Sequence, residues 1–185
     1  MSCLKLLSFF APGLEECEGL LCVDHPAPRR CRGHDCRRRR EKIVKSARQI
    51  SVVADALAEE LDYTVFDACI LPGGMPGTLN LEKSPIVTTC AEYCAKNDIY
   101  LAAICAAPSV LGHLGLLNGK EAICFPGFEG ELKGATISEK PVCVDGKIVT
   151  AKGMGVAVQF GLTLAGLMVG KDVEKKIHDG IQCTD

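Results

Sequence analysis

Cys105 closes the apolar run "DIYLAAIC" and stands directly before "APSVLGHLGLL", whose spacing predicts a helix. A cysteine between a buried strand and a helix start occupies a tight turn. There its sulfur faces out of the sheet, and the backbone N–H groups that follow can stabilise negative charge. That is the geometry of a nucleophile. Two further stretches belong to the same edge if the runs before them are strands. These are "GLEECE", after the first β-like run, and "PGGMPG", after a middle one. In open α/β sheets, ligands bind beyond the carboxyl ends of the strands, where these three features would converge.

The elements that must position them can be read from the pattern. "LKLLSFF", "FDACILPGG" and "DIYLAAIC" are short apolar runs of strand type. "SPIVTTCAEYCAKND" predicts a helix with Ser84 as N-cap and Pro85 at the first helical position, its apolar Ile86, Val87, Cys90, Tyr93 and Cys94 recurring at helical spacing. "KIVTAKGMGVAVQFGLTLAGLMVG" reads as a strand, a glycine turn and a buried helix. Strands and helices in alternation, with continuously apolar strands, predict a mostly parallel sheet covered on both faces. With no internal repeat and no interdomain linker, residues 1–185 form one α/β domain.

The chain has 185 residues, 48% of them apolar and 24% charged, with a net charge of −2, so it gives no global attraction to nucleic acid or to an anionic membrane. Twelve cysteines could suggest a disulfide scaffold, but that reading suits short chains with poor cores. Most of these cysteines lie inside apolar runs, such as Cys69 in "FDACILPGG" and Cys124 in "EAICFPG", where cysteine acts as a small hydrophobe. Cys69, Cys90, Cys94 and Cys124 are therefore expected to be buried free thiols in a cytoplasmic protein. "CLKLLSFFAPG" has one positive charge and too brief an apolar core for a signal peptide, and no stretch has the length of a membrane span.

Taken together, "APGLEECE", "CILPGGMPGTLNL", "LAAICAAPSVLGHLGLLNGK" and "IVTAKGMGVAVQFGLTL" resemble the ThiJ/PfpI superfamily, in particular its Parkinson-protein and YajL-like branch. The resemblance covers about 1–23 and 43–180. It implies a flavodoxin-like three-layer sandwich of the class I glutamine amidotransferase-like type, assembled as a homodimer. By the same resemblance, Cys105 matches the family's reactive cysteine, and Glu18 the carboxylate that hydrogen-bonds its sulfur. Gly73 and Gly74 match the backbone oxyanion pocket, with the amide of Ala106 following the nucleophile, and Arg48 matches an arginine at the dimer interface.

The chemistry of the pair stands independently of the resemblance. Only a thiolate is a good nucleophile, and a carboxylic acid kept protonated beside it can donate a hydrogen bond and later shuttle protons. Cys105 is on this reasoning expected to be the cysteine with a strongly lowered pKa. The bland alternative is one more buried cysteine and a solvated acid. The family's protease-like branch carries a histidine directly after the nucleophile, where this chain has Ala106, so a peptidase is not expected. Phe125 stands in "CFPGFE" where some members have a histidine, and His113, eight residues beyond Cys105, reads as packing or surface.

One stretch departs from this pattern. Between Asp24 and Lys42, "DHPAPRRCRGHDCRRRREK" holds seven of the chain's eight arginines, the other being Arg48. Pro26 and Pro28 would break the helix expected there, so 25–41 is anomalous for the fold and is expected to be irregular or exposed. Read one nucleotide later, codons permitted for His25 to Arg40 can encode a helix end, a turn and a buried strand. A compensated frameshift in the gene or its sequencing therefore accounts for the stretch without new function. Two other readings compete. His25, Cys31, His34 and Cys36 offer four zinc ligands, though without a CxxC pair, and the arginine run could bind phosphates in nucleic acid.

The resemblance implies an enzyme acting on reactive carbonyls: a glutathione-independent glyoxalase, or a deglycase acting on glycated protein or nucleotide, with no metal or organic cofactor. Its partners would be a small aldehyde or glycated substrate and a second copy of the chain, without membrane or nucleic acid. A redox-sensing stress protein or chaperone, in which Cys105 is oxidised to a sulfinate beside Glu18, is the alternative from a different class.

Overall fold

The computed structural model describes residues 4–24, 32–35 and 42–183, with 23–24 and 32–35 described by backbone alone. In chain order the elements are β1 (Leu6–Phe10), α1 (Glu16–Asp24), β2 (Arg32–Asp35), β3 (Ile43–Lys45), β4 (Ser51–Val53), β5 (Ala56–Leu57) and β6 (Ala68–Leu71). There follow α2 (Gly77–Glu82), α3 (Pro85–Lys96), β7 (Tyr100–Ile104), α4 (Pro108–His113), β8 (Glu121–Ala122) and β9 (Thr136–Ile137). The chain continues through β10 (Val142–Asp145), β11 (Ile148–Ala151), α5 (Ala157–Val169) and α6 (Lys171–Gly180).

Seven strands form the central sheet in the order β10-β11-β7-β6-β1-β2-β5. All neighbours run parallel except the β10–β11 pair. This is the mostly parallel sheet covered on both faces that the strand and helix alternation predicts, and the flavodoxin-like sandwich that the resemblance implies. Successive strand residues point to opposite faces, so each strand feeds two cores. Leu7, Phe9, Cys69, Leu71, Leu101 and Ala103 share one core with Val87, Cys90, Ala91 and Cys94 of α3. Leu6, Ile70, Ala102, Ile104 and Val149 pack on the other face with Ala157, Phe160 and Leu164 of α5. Burying Phe160 completely contributes about 1.5–3 kcal/mol by apolar transfer.

α3 begins as expected, with Ser84 extended and Pro85 at its first position. The Ser84 hydroxyl makes no cap bond, however. Cys69, Cys90, Cys94 and Cys124 are all buried free thiols. α4 is shorter than its apolar pattern suggests, so His113 ends that helix rather than lying inside a longer one. Its ring nitrogens meet Glu82 at 2.5 Å and Glu131 at 2.9 Å, making it a surface cross-link.

Within 25–41, Arg32–Asp35 pair with β1 from Leu7↔Arg32 to Phe10↔Asp35. The ladder uses backbone groups, which an arginine-rich composition leaves intact. Residues 25–31 and 36–41 lie outside the described residues, as do the side chains of the proposed zinc ligands His25, Cys31, His34 and Cys36 and most of the arginine run. Among the described residues, no helix is long and apolar enough to cross a membrane.

Candidate active site

Sheet order makes the site. β7, β6 and β1 are neighbours, so the segments leaving their carboxyl ends are brought side by side. Cys105 follows β7, Gly73 and Gly74 follow β6, and Glu18 lies in the first turn of α1 after β1. Cys105 has φ of 66°, a left-handed conformation that costs a non-glycine residue energy, in the tight turn between strand and helix. Its backbone is fixed on both sides. The amide donates to the Ala151 carbonyl at 2.9 Å, and its carbonyl accepts from the Phe125 amide at 2.7 Å.

Glu18 is fully buried, and its Oε2 accepts the Gly73 N–H at 3.0 Å. Its Oε1 is also buried and meets no hydrogen-bond geometry among the described residues, although Cys105 and the Met154 amide both act on the carboxyl. Burial dominates and pushes the Glu18 carboxyl up to about 7, against the hydrogen bonds from Cys105, Gly73 and Met154 that favour its ionised form. A proton is thus held on this acid close to neutrality.

Glycine at 73 is a matter of space. A Cβ there would lie 2.5 Å from Cys105 Cβ and 2.7 Å from Glu18 Oε2, so the backbone can pass between acid and thiol only without a side chain. Gly74, at φ of 92°, is pressed against the backbone of Leu14 and Glu15. The two glycines divide the labour. The Gly73 amide is committed to Glu18, whereas the Gly74 amide, with that of Ala106, favours negative charge on Cys105.

The thiol's titration corrects the sequence expectation. Cys105 is raised to about 12, first by burial and then by the Glu18 charge and the hydrogen bond to it, which outweigh the two amides. Among the described residues, Cys94 in the core is the cysteine whose pKa is drawn down, by hydrogen bonds from Cys69 and Cys90. A low thiol pKa requires hydrogen-bond donors or positive charge at the sulfur that outweigh burial, and beside Cys105 the nearest charge is an anion. The pair therefore carries a single shared proton from about 7 to about 12. Below about 7 a neutral Glu18 removes the repulsion that opposes a thiolate.

Arg48 pairs within its own chain, with Glu15 at 2.6 Å and Glu16 at 3.6 Å. Glu15, which sequence reasoning overlooked, also accepts the Glu18 backbone N–H at 2.8 Å and so caps the helix that carries the acid. Its signal was the repeated acid in "GLEECE". Met154 was overlooked as well. It lies with Phe125, Pro126, Lys152, Gly153 and Val156 around a cavity of about 360 Å³ beside the site. A larger cavity of about 510 Å³, lined by Asp67, Asp98, Tyr100 and Lys147, lies at the amino ends of the strands, the opposite end from Cys105 and Glu18. The chemistry belongs to the smaller one.

Residues 6–166 match the family described as DJ-1/PfpI. The chain belongs to the DJ-1/PfpI family. It is 38% identical over 131 residues to Protein DJ-1 homolog B of Arabidopsis thaliana, a match covering 70% of this chain but only 30% of that relative's length. It is 27% identical over 150 residues to the Glutathione-independent glyoxalase DJ-1 of Schizosaccharomyces pombe, covering 77% of this chain and 78% of that one. Among solved structures, oxidized Toxoplasma gondii DJ-1 superposes with a TM-score of 0.89 at 29% identity, covering 97% of this chain and 98% of the other. Within the DJ-1/PfpI frame, this chain's site is an acid and a thiol sharing one proton over a glycine-lined turn.

Proposed function

We propose that the protein is a cysteine-dependent reactive-carbonyl enzyme, a glutathione-independent glyoxalase that also accepts glycated protein or nucleotide as a deglycase. The observation that carries this reading is a buried Glu18, with a pKa raised to about 7, separated from Cys105 only by the side-chain-free Gly73. The name of the fission-yeast relative supports the same class of activity.

With methylglyoxal, the Cys105 sulfur adds to the aldehyde carbon. An S–C bond forms, the carbonyl π bond opens, and the pair's shared proton goes to the oxygen. The Gly74 and Ala106 amides stabilise charge at the sulfur as it attacks. Glu18, now ionised, takes the proton from that carbon and returns it to the neighbouring one, while the hydroxyl proton passes from the first oxygen to the former ketone oxygen. The aldehyde carbon is thereby oxidised to a thioester as the ketone is reduced to an alcohol, with no external electron acceptor. Water then cleaves the thioester, releasing lactate and restoring the thiol. A deglycase would use the same addition on a glycated adduct. Arg48, exposed beside α1, would serve a homodimer interface, and the reaction would take place in the cytoplasm without metal, organic cofactor, membrane or nucleic acid.

The test is steady-state consumption of methylglyoxal without glutathione. Cys105→Ser is expected to abolish turnover, because a hydroxyl near neutrality supplies almost no oxyanion without a strong base. Undiminished turnover in that variant would sink the proposal. The redox-sensing reading is favoured by one observation, the half-buried sulfur beside amides that would also hold a sulfinate. It predicts peroxide-dependent mass gain at Cys105 with no carbonyl turnover.

A further inference from the structure

Three thiols that play no part in this chemistry meet in the other core. Cys90 and Cys94 lie one turn apart on α3 and so share a face, and Cys69 comes from β6 beneath them. Their sulfurs all lie within 4.8 Å of one another, and the residues are 1%, 0% and 2% exposed for Cys69, Cys90 and Cys94. The core around them contains Leu7, Leu71, Val87 and Leu101, on the sheet face opposite the one that packs Cys105. Behaviour as small hydrophobes accounts for the burial of each cysteine, but not for the convergence of three sulfurs.

We propose that Cys69, Cys90 and Cys94 form a binding site for a trivalent thiophilic metalloid of the arsenite class, held as a neutral tris-thiolate. Charge selects the ligand. Thiols must lose their protons to coordinate, and an apolar core penalises any net charge left behind. Zinc on three thiolates carries one negative charge and wants a fourth ligand, and copper(I) would carry two. A trivalent metalloid on three thiolates carries none, and its lone pair fills the remaining position. The exchange balances without electron transfer. Three As–O bonds of arsenous acid break and three As–S bonds form, and each thiol proton leaves with a hydroxide as water. Because the cluster is closed to solvent, loading must wait for α3 to lift from the sheet and is slow.

The test is titration of the reduced full chain with sodium arsenite, followed by sulfur-to-arsenic charge-transfer absorbance and by the arsenic X-ray absorption of the product. One arsenic per chain with three sulfur and no oxygen neighbours is expected. Cys90→Ser and, independently, Cys94→Ala should each weaken binding about 10²–10⁴-fold by loss of one arm of the chelate. Cys105→Ser should bind as the wild type does. An arsenic shell containing oxygen in the wild-type protein overturns the proposal whether or not the variants fold. So does full-strength binding in a folded Cys90→Ser or Cys94→Ala protein, or loss of binding in Cys105→Ser.

Discussion

Replacing Glu18 by Gln should make the protein more stable as well as inactive, and only at the higher pH values. In the fold, burial raises this carboxyl from its ordinary 4.5 to about 7, so between those values the native state keeps a proton that the unfolded chain has released. The stabilising contribution is fully present below about 4.5 and is lost as pH rises through about 7. The difference of roughly 2.5 units, at 1.36 kcal/mol each, is about 3 kcal/mol of destabilisation above neutrality. It does not matter whether the shared proton sits on oxygen or sulfur, because the linkage counts protons bound by the pair. Glutamine has the same shape, keeps an acceptor for the Gly73 N–H and never ionises. Urea unfolding of both proteins from pH 4 to 9 should therefore give equal stability near pH 4.5 and a gap approaching about 3 kcal/mol in favour of the variant by pH 8. Groups not coupled to Glu18 cancel in the difference, and Cys105, which is coupled to it, largely keeps its proton in both folded and unfolded states up to about pH 8. A gap independent of pH, or a wild type more stable than the variant at pH 8, would refute the account of Glu18 as a buried acid strained by its own charge.

Two further outcomes follow from the site and its surroundings. Gly73→Ala should lower stability by about 1–3 kcal/mol in urea and cut kcat, because the added methyl meets both Cys105 and Glu18; a variant with wild-type stability and turnover would mean that the loop yields freely. His113, whose pKa is raised first by Glu131 and then by Glu82, stabilises the fold fully below its ordinary 6.5 and loses that contribution as pH rises through its folded value. His113→Gln should flatten the pH dependence of stability in that window, and an unchanged slope would show that the surface cross-link carries no linkage.

What the sequence revealed and concealed divides along physical lines. Cys105 was legible because a local feature, a buried strand running straight into a helix, sets its turn. The strained φ of 66° follows from that junction. Glu18 was not separable from Glu15 and Glu16 by composition. Of three acids within four residues, Glu15 caps the helix and pairs most closely with Arg48, Glu16 lies further from that arginine, and Glu18 alone reaches Gly73; helix phase together with sheet order decides which. The low thiol pKa was expected from amides and a helix start, and it failed because those partial charges are weaker than a whole buried carboxylate beside the sulfur. β2 escaped notice for the opposite reason. Side-chain composition argued against a strand, whereas parallel pairing to β1 is a transaction between backbones. The thiol cluster combines both cases: the i, i+4 spacing of Cys90 and Cys94 could be read from α3 alone, but the addition of Cys69 depends on the register of a helix over a strand. That register is fixed by packing across the sheet, and no local pattern contains it.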